Sequence, residues 1–117
     1  MLYIGVDLGT SAVKLLMMDE NGNIQKIVSK EYPLYFLYPG WSEQNPQDWF
    51  AQSMEGIKEL TSECDKSQVA GISFGGQMHG LVVLDKEDQV IRPAILWNDG
   101  RTTKETNYLN QVIGKDK

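Results

Sequence analysis

At 117 residues, with 41% apolar and 23% charged side chains, the chain has the length and composition of one folded domain with a modest core rather than of a disordered segment. Its net charge of −5, with 11 Lys and Arg scattered along the sequence, argues against a nucleic-acid partner or a membrane surface, and no apolar run approaches membrane-spanning length. The single Cys64 can form no internal disulfide and the start lacks the marks of a secretory leader, so the expected compartment is a reducing cytoplasm.

The stretch Leu2 to Met18 reads as two apolar runs joined by Asp7-Leu8-Gly9-Thr10-Ser11. Near-continuous apolar character predicts central strands covered on both faces, and the β-branched content with the central Gly-Thr-Ser predicts a hairpin. Asp19-Glu20-Asn21-Gly22 is a second hairpin turn, followed by a third strand, Ile24 to Tyr32, whose Lys26, Lys30 and Glu31 suit an edge. From Pro33 to Pro46 runs an aromatic loop that fits either a ligand cleft or a loop pinned to the core.

Asn45-Pro46 predicts a helix start, with Asn as cap, Pro in the first turn and Asp48 at the positive end. Its expected inward stripe is Trp49 or Phe50, Met54, Ile57 and Leu60. After a polar connection, Val69 to Phe74 predicts a fourth, buried strand, interrupted by Gly75-Gly76-Gln77-Met78-His79-Gly80. Leu81 to Leu84 and Val90-Ile91 then predict a hairpin, Arg92 to Trp97 an apolar strand ending in Asn98-Asp99-Gly100-Arg101, and Thr102 or Thr103 the start of a last helix. That helix gathers Tyr108, Leu109, Val112 and Ile113 on one face, with Gly114 as its stop.

Two constellations carry chemistry. In the first, backbone N–H groups around Gly9 and the hydroxyls of Thr10 and Ser11 suit phosphate oxygens, and Lys14 adds a positive charge. A bare Asp7 carboxylate would repel phosphate, whereas one bound to Mg²⁺ or its waters bridges to it. The same residues also fit an ordinary hairpin with a polar turn. The second constellation is Gln77-Met78-His79 with Trp97-Asn98-Asp99 and Arg101, each group just beyond a predicted strand, where open α/β sheets bind ligands. An indole face with imidazole, amide and carboxylate groups suits a polyol. The plainer alternative makes His79 a bonded loop residue, Trp97 core, and Asp99 with Arg101 a surface pair.

Asp7-Leu-Gly-Thr-Ser11 after an apolar strand resembles the first phosphate loop of the actin, hexokinase and sugar-kinase ATPases. Together with Trp41-Ser-Glu-Gln44, Gly75-Gly-Gln-Met-His-Gly80 and Arg92-Pro-Ala-Ile-Leu-Trp-Asn-Asp-Gly-Arg101, in that order, it is similar to the FGGY family of carbohydrate kinases, from Leu2 to about Leu109. The Gln-Met-His-Gly motif leans toward the xylulose-phosphorylating members.

The resemblance implies an α/β fold of the ribonuclease H-like, actin-like ATPase class, with a mixed sheet whose first three strands are antiparallel, and with residues 1–117 forming the N-terminal part of the first of two such domains. It implies transfer of phosphate from ATP with Mg²⁺ to a sugar hydroxyl, D-xylulose giving D-xylulose 5-phosphate, with ribulose, gluconate or glycerol as alternative acceptors. Asp7, Gly9, Thr10, Ser11 and Lys14 fall on nucleotide and metal positions, Asp7 being the metal ligand. Met78, His79 and Trp97, with Asn98 and Asp99, fall on the sugar side of the same cleft. No motif for the catalytic base is present in these residues, so the chain alone is expected to be inactive, and an unpaired sheet edge suggests self-association. The competing classes are a non-catalytic half-domain used for protein contact and a dinucleotide-binding oxidoreductase. The latter is disfavoured because no Gly-x-Gly-x-x-Gly follows the first strand.

Overall fold

The two apolar runs at the start pair as the sequence predicts. A computed structural model describes residues 1–114, in which β1 (Leu2–Leu8) and β2 (Ala12–Asp19) form an antiparallel hairpin around Gly9, Thr10 and Ser11. β3 (Ile24–Glu31) adds antiparallel to β2, and β5 (Val69–Gly76) adds parallel to β1, giving the order β3-β2-β1-β5. The mixed sheet with three antiparallel first strands and β3 at an edge is therefore as expected.

Burial departs from expectation. Along β2, Val13, Leu15 and Met17 are buried while Lys14 and Met18 are exposed, the alternation of a sheet covered on one face. The cover is α1 (Pro46–Leu60), which lies across β2 and β3; the opposite face is open among the described residues. Asn45 caps α1 by accepting the Gln47 N–H at 3.0 Å.

The inward side of α1 runs through Trp49, Gly56, Ile57 and Leu60, whereas Phe50 and Met54 face outward at 67% and 42% exposure. Gly56 lies on the side that packs: a Cβ there would stand 2.4 Å from Leu15 Cδ1, so a larger residue requires Leu15 or the helix to shift. The core is Ile4, Val6, Val13, Leu15, Met17, Val28, Tyr32 and Leu60.

β5 is an exposed edge rather than a buried strand, with Ile72 and Phe74 at 45% and 65% exposure, because no further strand covers it among the described residues. The aromatic loop contains an unforeseen strand, β4 (Glu43–Gln44), which pairs antiparallel with β6 (Ala94–Ile95). The apolar strand expected from Arg92 to Trp97 shrinks to those two residues. The expected hairpin between Leu81–Leu84 and Val90–Ile91 forms without regular strands, closed by a Leu84–Val90 bridge with Ile91 N–H on the Val83 carbonyl at 3.1 Å and Asp85 N–H on the Gln89 carbonyl at 2.8 Å. α2 (Thr103–Val112) starts after Thr102, which makes no side-chain cap bond, and its Tyr108, Leu109 and Val112 are exposed.

Candidate functional site

The turn from β1 to β2 is built by hydrogen bonds to its backbone. Gly9 N–H donates to the Ala12 carbonyl at 2.9 Å, and a Cβ on Gly9 would meet that same oxygen at 2.9 Å, which excludes any other residue in this geometry. The Gly9 carbonyl accepts the Tyr32 hydroxyl, the Thr10 carbonyl accepts Gln44 Nε2, and the Ser11 carbonyl accepts the Tyr32 N–H at 3.2 Å. Burial, with the nearby Asp7 charge adding to it, pushes the Tyr32 hydroxyl up to about 12, so it stays a proton donor.

Asp7 and Lys14 are direct partners across the β1–β2 ladder. Both are exposed on the face away from α1, and neither has an ion-pair partner among the described residues. They line a hollow of about 480 Å³ with Gly5, Ser73 and Gly75. A solvent-open carboxylate beside unbonded turn amides fits Mg²⁺, which takes one or two carboxylates and fills its remaining positions with water and phosphate. An all-protein metal cage does not fit, since no cluster of three or more His, Cys, Asp or Glu occurs among the described residues.

The glycine-rich segment leaves β5 by extending its ladder: Gln77 N–H donates to the Leu8 carbonyl at 2.9 Å. His79 then adopts φ +63°, a left-handed conformation uncommon outside glycine, and lines a hollow of about 410 Å³ with Leu8, Trp49, Gln77 and Leu96. Met78 stands 71% exposed beside it. Asp7 does not share this hollow. It follows the strand rule that successive residues point to opposite faces, so Asp7 projects from the open face and Leu8 from the covered one. The single cleft expected for Asp7, His79 and Trp97 is thus, in this structure, two hollows on either side of the sheet end.

The two hollows meet at Phe74 and Gly75, which line both. Near them Trp97 Nε1 donates to Thr10 Oγ1 at 3.3 Å, across 87 residues of sequence. Trp97 is 55% exposed and is not part of the core. Asn98 faces elsewhere, into a hollow of about 420 Å³ formed with Phe36, Tyr38 and Trp41 of the aromatic loop.

In this structure the Asp99 carboxylate anchors the loop. Its side chain is 1% exposed and both oxygens are engaged. Oδ2 accepts the Ser42 N–H and Arg101 Nη2, each at 2.6 Å, and Oδ1 accepts Arg101 N–H and Nε, each at 2.9 Å. The Arg101 guanidinium holds this carboxyl well below the usual carboxylate range, and Asp99 in turn raises Arg101. Arg101 also pairs with Glu43 Oε2 at 2.8 Å and stacks 3.6 Å over the Trp41 ring, while Arg92 reaches Glu43 from the other side.

Three residues that no single-residue reading singled out hold this arrangement: Tyr32, Glu43 and Gln44. Gln44 is 1% exposed; its Oε1 accepts Trp49 Nε1 at 2.9 Å and Gln77 Nε2 at 3.2 Å while its Nε2 holds the turn. It links the turn, the helix and the His79 segment. The signal for the pair was the Trp41-Ser-Glu-Gln44 stretch, a polar trio set directly before a helix cap.

Residues 2–117 match the description "FGGY family of carbohydrate kinases, N-terminal domain". The chain is 49% identical over 113 residues to the xylulose kinase of Bacillus subtilis, covering 95% of this chain and 23% of that one. Among solved structures, a xylulose kinase from Brucella ovis superposes with TM-score 0.88 at 42% identity, covering 95% of this chain and 24% of that one. A ligand-bound xylulose kinase from Lactobacillus acidophilus superposes with TM-score 0.91 at 33% identity, covering 97% and 23%. The chain thus spans about a quarter of the length of the relatives it matches.

Proposed function

This chain belongs to the FGGY family of carbohydrate kinases and carries the actin-like α/β fold, and from that premise we propose that it serves ATP-dependent phosphorylation of a sugar hydroxyl, with xylulose as the favoured acceptor. The observation that carries this reading is the Trp97–Thr10 hydrogen bond, which puts Trp97 of the polyol-type set against the phosphate-type turn. The names of the relatives at 39–49% identity support the choice of acceptor, and a B. subtilis gluconokinase at 31% marks the competing one.

Phosphoryl transfer needs alignment, charge neutralisation and a base for the attacking hydroxyl. On this reading Thr10 and Ser11 hold phosphate oxygens, Lys14 adds positive charge, and Asp7 holds Mg²⁺, which when bound neutralises charge on the transferred phosphoryl group. Met78, His79 and Trp97 orient the sugar. No carboxylate lines the His79 hollow to orient the imidazole as a base, so His79 binds and the base belongs to another part of the kinase. Among the described residues the outer edge of β5 is unpaired and, in this chain studied alone, offers its backbone groups to a second copy; light scattering that finds only monomer removes that part of the reading.

Asp7→Asn in a full-length kinase carrying this sequence tests the assignment. The expected result is a KM for MgATP raised about tenfold or more with the sugar KM within about twofold. Unchanged ATP kinetics overturn it. His79→Ala is expected to raise the sugar KM and spare kcat, and a substrate panel with xylulose, ribulose, gluconate and glycerol reads the acceptor directly.

A further inference from the structure

Three successive carbonyls of the β1–β2 turn are each taken by a donor from outside it: Gly9 by the Tyr32 hydroxyl, Thr10 by the Gln44 side-chain amide, Ser11 by the Tyr32 N–H. Both side chains come from the interior, Tyr32 at 5% exposure in the core and Gln44 at 1%. A trans peptide points its carbonyl and the following N–H in opposite directions. Carbonyls drawn inward therefore turn the Thr10 and Ser11 N–H groups outward, and among the described residues neither donates to a protein acceptor.

Resting on the phosphate-turn reading above, we infer that Tyr32 and Gln44 are positioning residues that hold these two peptide planes so that the Thr10 and Ser11 amides are pre-aimed at the oxygens of a nucleotide's terminal phosphates. Fixed donors need no reorganisation when charge arrives, which is why such placement favours binding over a free turn that samples many orientations. The two clamps differ in reach. Tyr32 gives its hydrogen bonds only to the turn, whereas Gln44 also bonds Trp49 and Gln77, so it fixes the turn relative to the segment that carries His79. A buried phenol with a raised pKa remains protonated at working pH, as a carbonyl clamp must.

The test uses a full-length kinase carrying this sequence. Tyr32→Phe keeps the ring in the core and deletes only the donor; it is expected to raise the KM for MgATP about three- to tenfold, the effect of one positioned hydrogen bond, with the sugar KM within about twofold. Gln44→Met, similar in length but without the donor, is expected to raise both KM values because it loosens both connections. Selective amide labelling of Thr and Ser supplies a readout apart from turnover: in the wild type the Thr10 and Ser11 amide signals shift on adding MgADP, and in Tyr32→Phe they shift less. If the wild-type amides shift but Tyr32→Phe leaves both the shifts and the MgATP KM unchanged, the clamp is overturned and the phosphate turn stands. If the wild-type amides do not shift, the phosphate-turn reading falls and the clamp with it. A Tyr32→Phe enzyme that loses Tm and raises both KM values alike shows general loosening, and that also overturns the clamp.

Discussion

The hairpin-and-helix region and the loop region of this molecule are held by different forces. Between β1, β2, β3 and α1 the buried cluster is apolar apart from the Tyr32 hydroxyl, with Thr61 the one buried polar residue at the end of α1. At the loops, three consecutive residues, Ser42, Glu43 and Gln44, are polar yet 2%, 2% and 1% exposed. Apolar burial is large but indifferent to direction, so it builds a platform without fixing where any donor points. Hydrogen bonds and ion pairs are directional, and the loops that carry Thr10, His79 and Trp97 are fixed by Gln44 and by the Glu43–Arg101–Asp99 set. The platform and the site therefore fail under different perturbations.

The largest expected effect lies in the platform. Leu15, 1% exposed, is the residue against which Gly56 packs, and Leu15→Ala is expected to cost about 3–5 kcal/mol in urea unfolding. Gly56→Ala alone is expected to cost about 1–3 kcal/mol, because its new Cβ overlaps Leu15. The double variant places that methyl beside the space Leu15 vacated. Its cost should fall below the sum of the two, and simple additivity would show that the helix is not seated on Leu15 as described.

Next in size is the loop network. Glu43→Gln is expected to cost about 2 kcal/mol, since it keeps the shape but removes the charge that Arg92 and Arg101 share. Hydrogen exchange separates the regions: the Ser42 and Arg101 amides, which donate to Asp99, should exchange faster while the β1 and β2 amides keep their protection. Asp99 gives the acid signature. Its folded pKa lies below the unfolded value of 3.8, so its contribution is present above about pH 4 and is lost as pH falls through the folded value. The wild type should lose stability below pH 4, and Asp99→Asn should start less stable and lose less over that interval.

What the sequence made legible divides along the same line. The hairpin and the Asn45-Pro46 helix start follow from apolar runs and from turn and cap residues, which are local signals, whereas the mixed sheet was implied by the family resemblance. Which face each element buries was less legible. Phe50 and Met54 satisfy helical spacing as well as the true stripe does, and only contact with Leu15 shows that the Gly56 side packs. The site residues Asp7, Thr10, His79 and Trp97 were visible as residue types flanking strand ends. Their arrangement was not: strand alternation separates Asp7 from the His79 hollow, and Asp99 is consumed by partners 2 and 57 residues away. A buried glutamine bonded to three segments leaves no periodic trace.

Tyr32 belongs to both regions, with its ring in the apolar core and its hydroxyl on the Gly9 carbonyl. Its folded pKa, about 12, is raised above the ordinary value of 10.0 because burial disfavours the phenolate and Asp7 adds to that. A raised folded pKa means that the contribution is whole below about pH 10 and is lost as pH rises through 12. Other groups also titrate in alkali, so the informative quantity is the stability difference between the wild type and Tyr32→Phe. That difference should be constant up to pH 10 and shrink toward pH 12, because an ionised oxygen no longer donates to Gly9. A difference that stays flat across this interval would show that the hydroxyl contributes only as a space-filling atom, and the joint between platform and site would then rest on Gln44 alone.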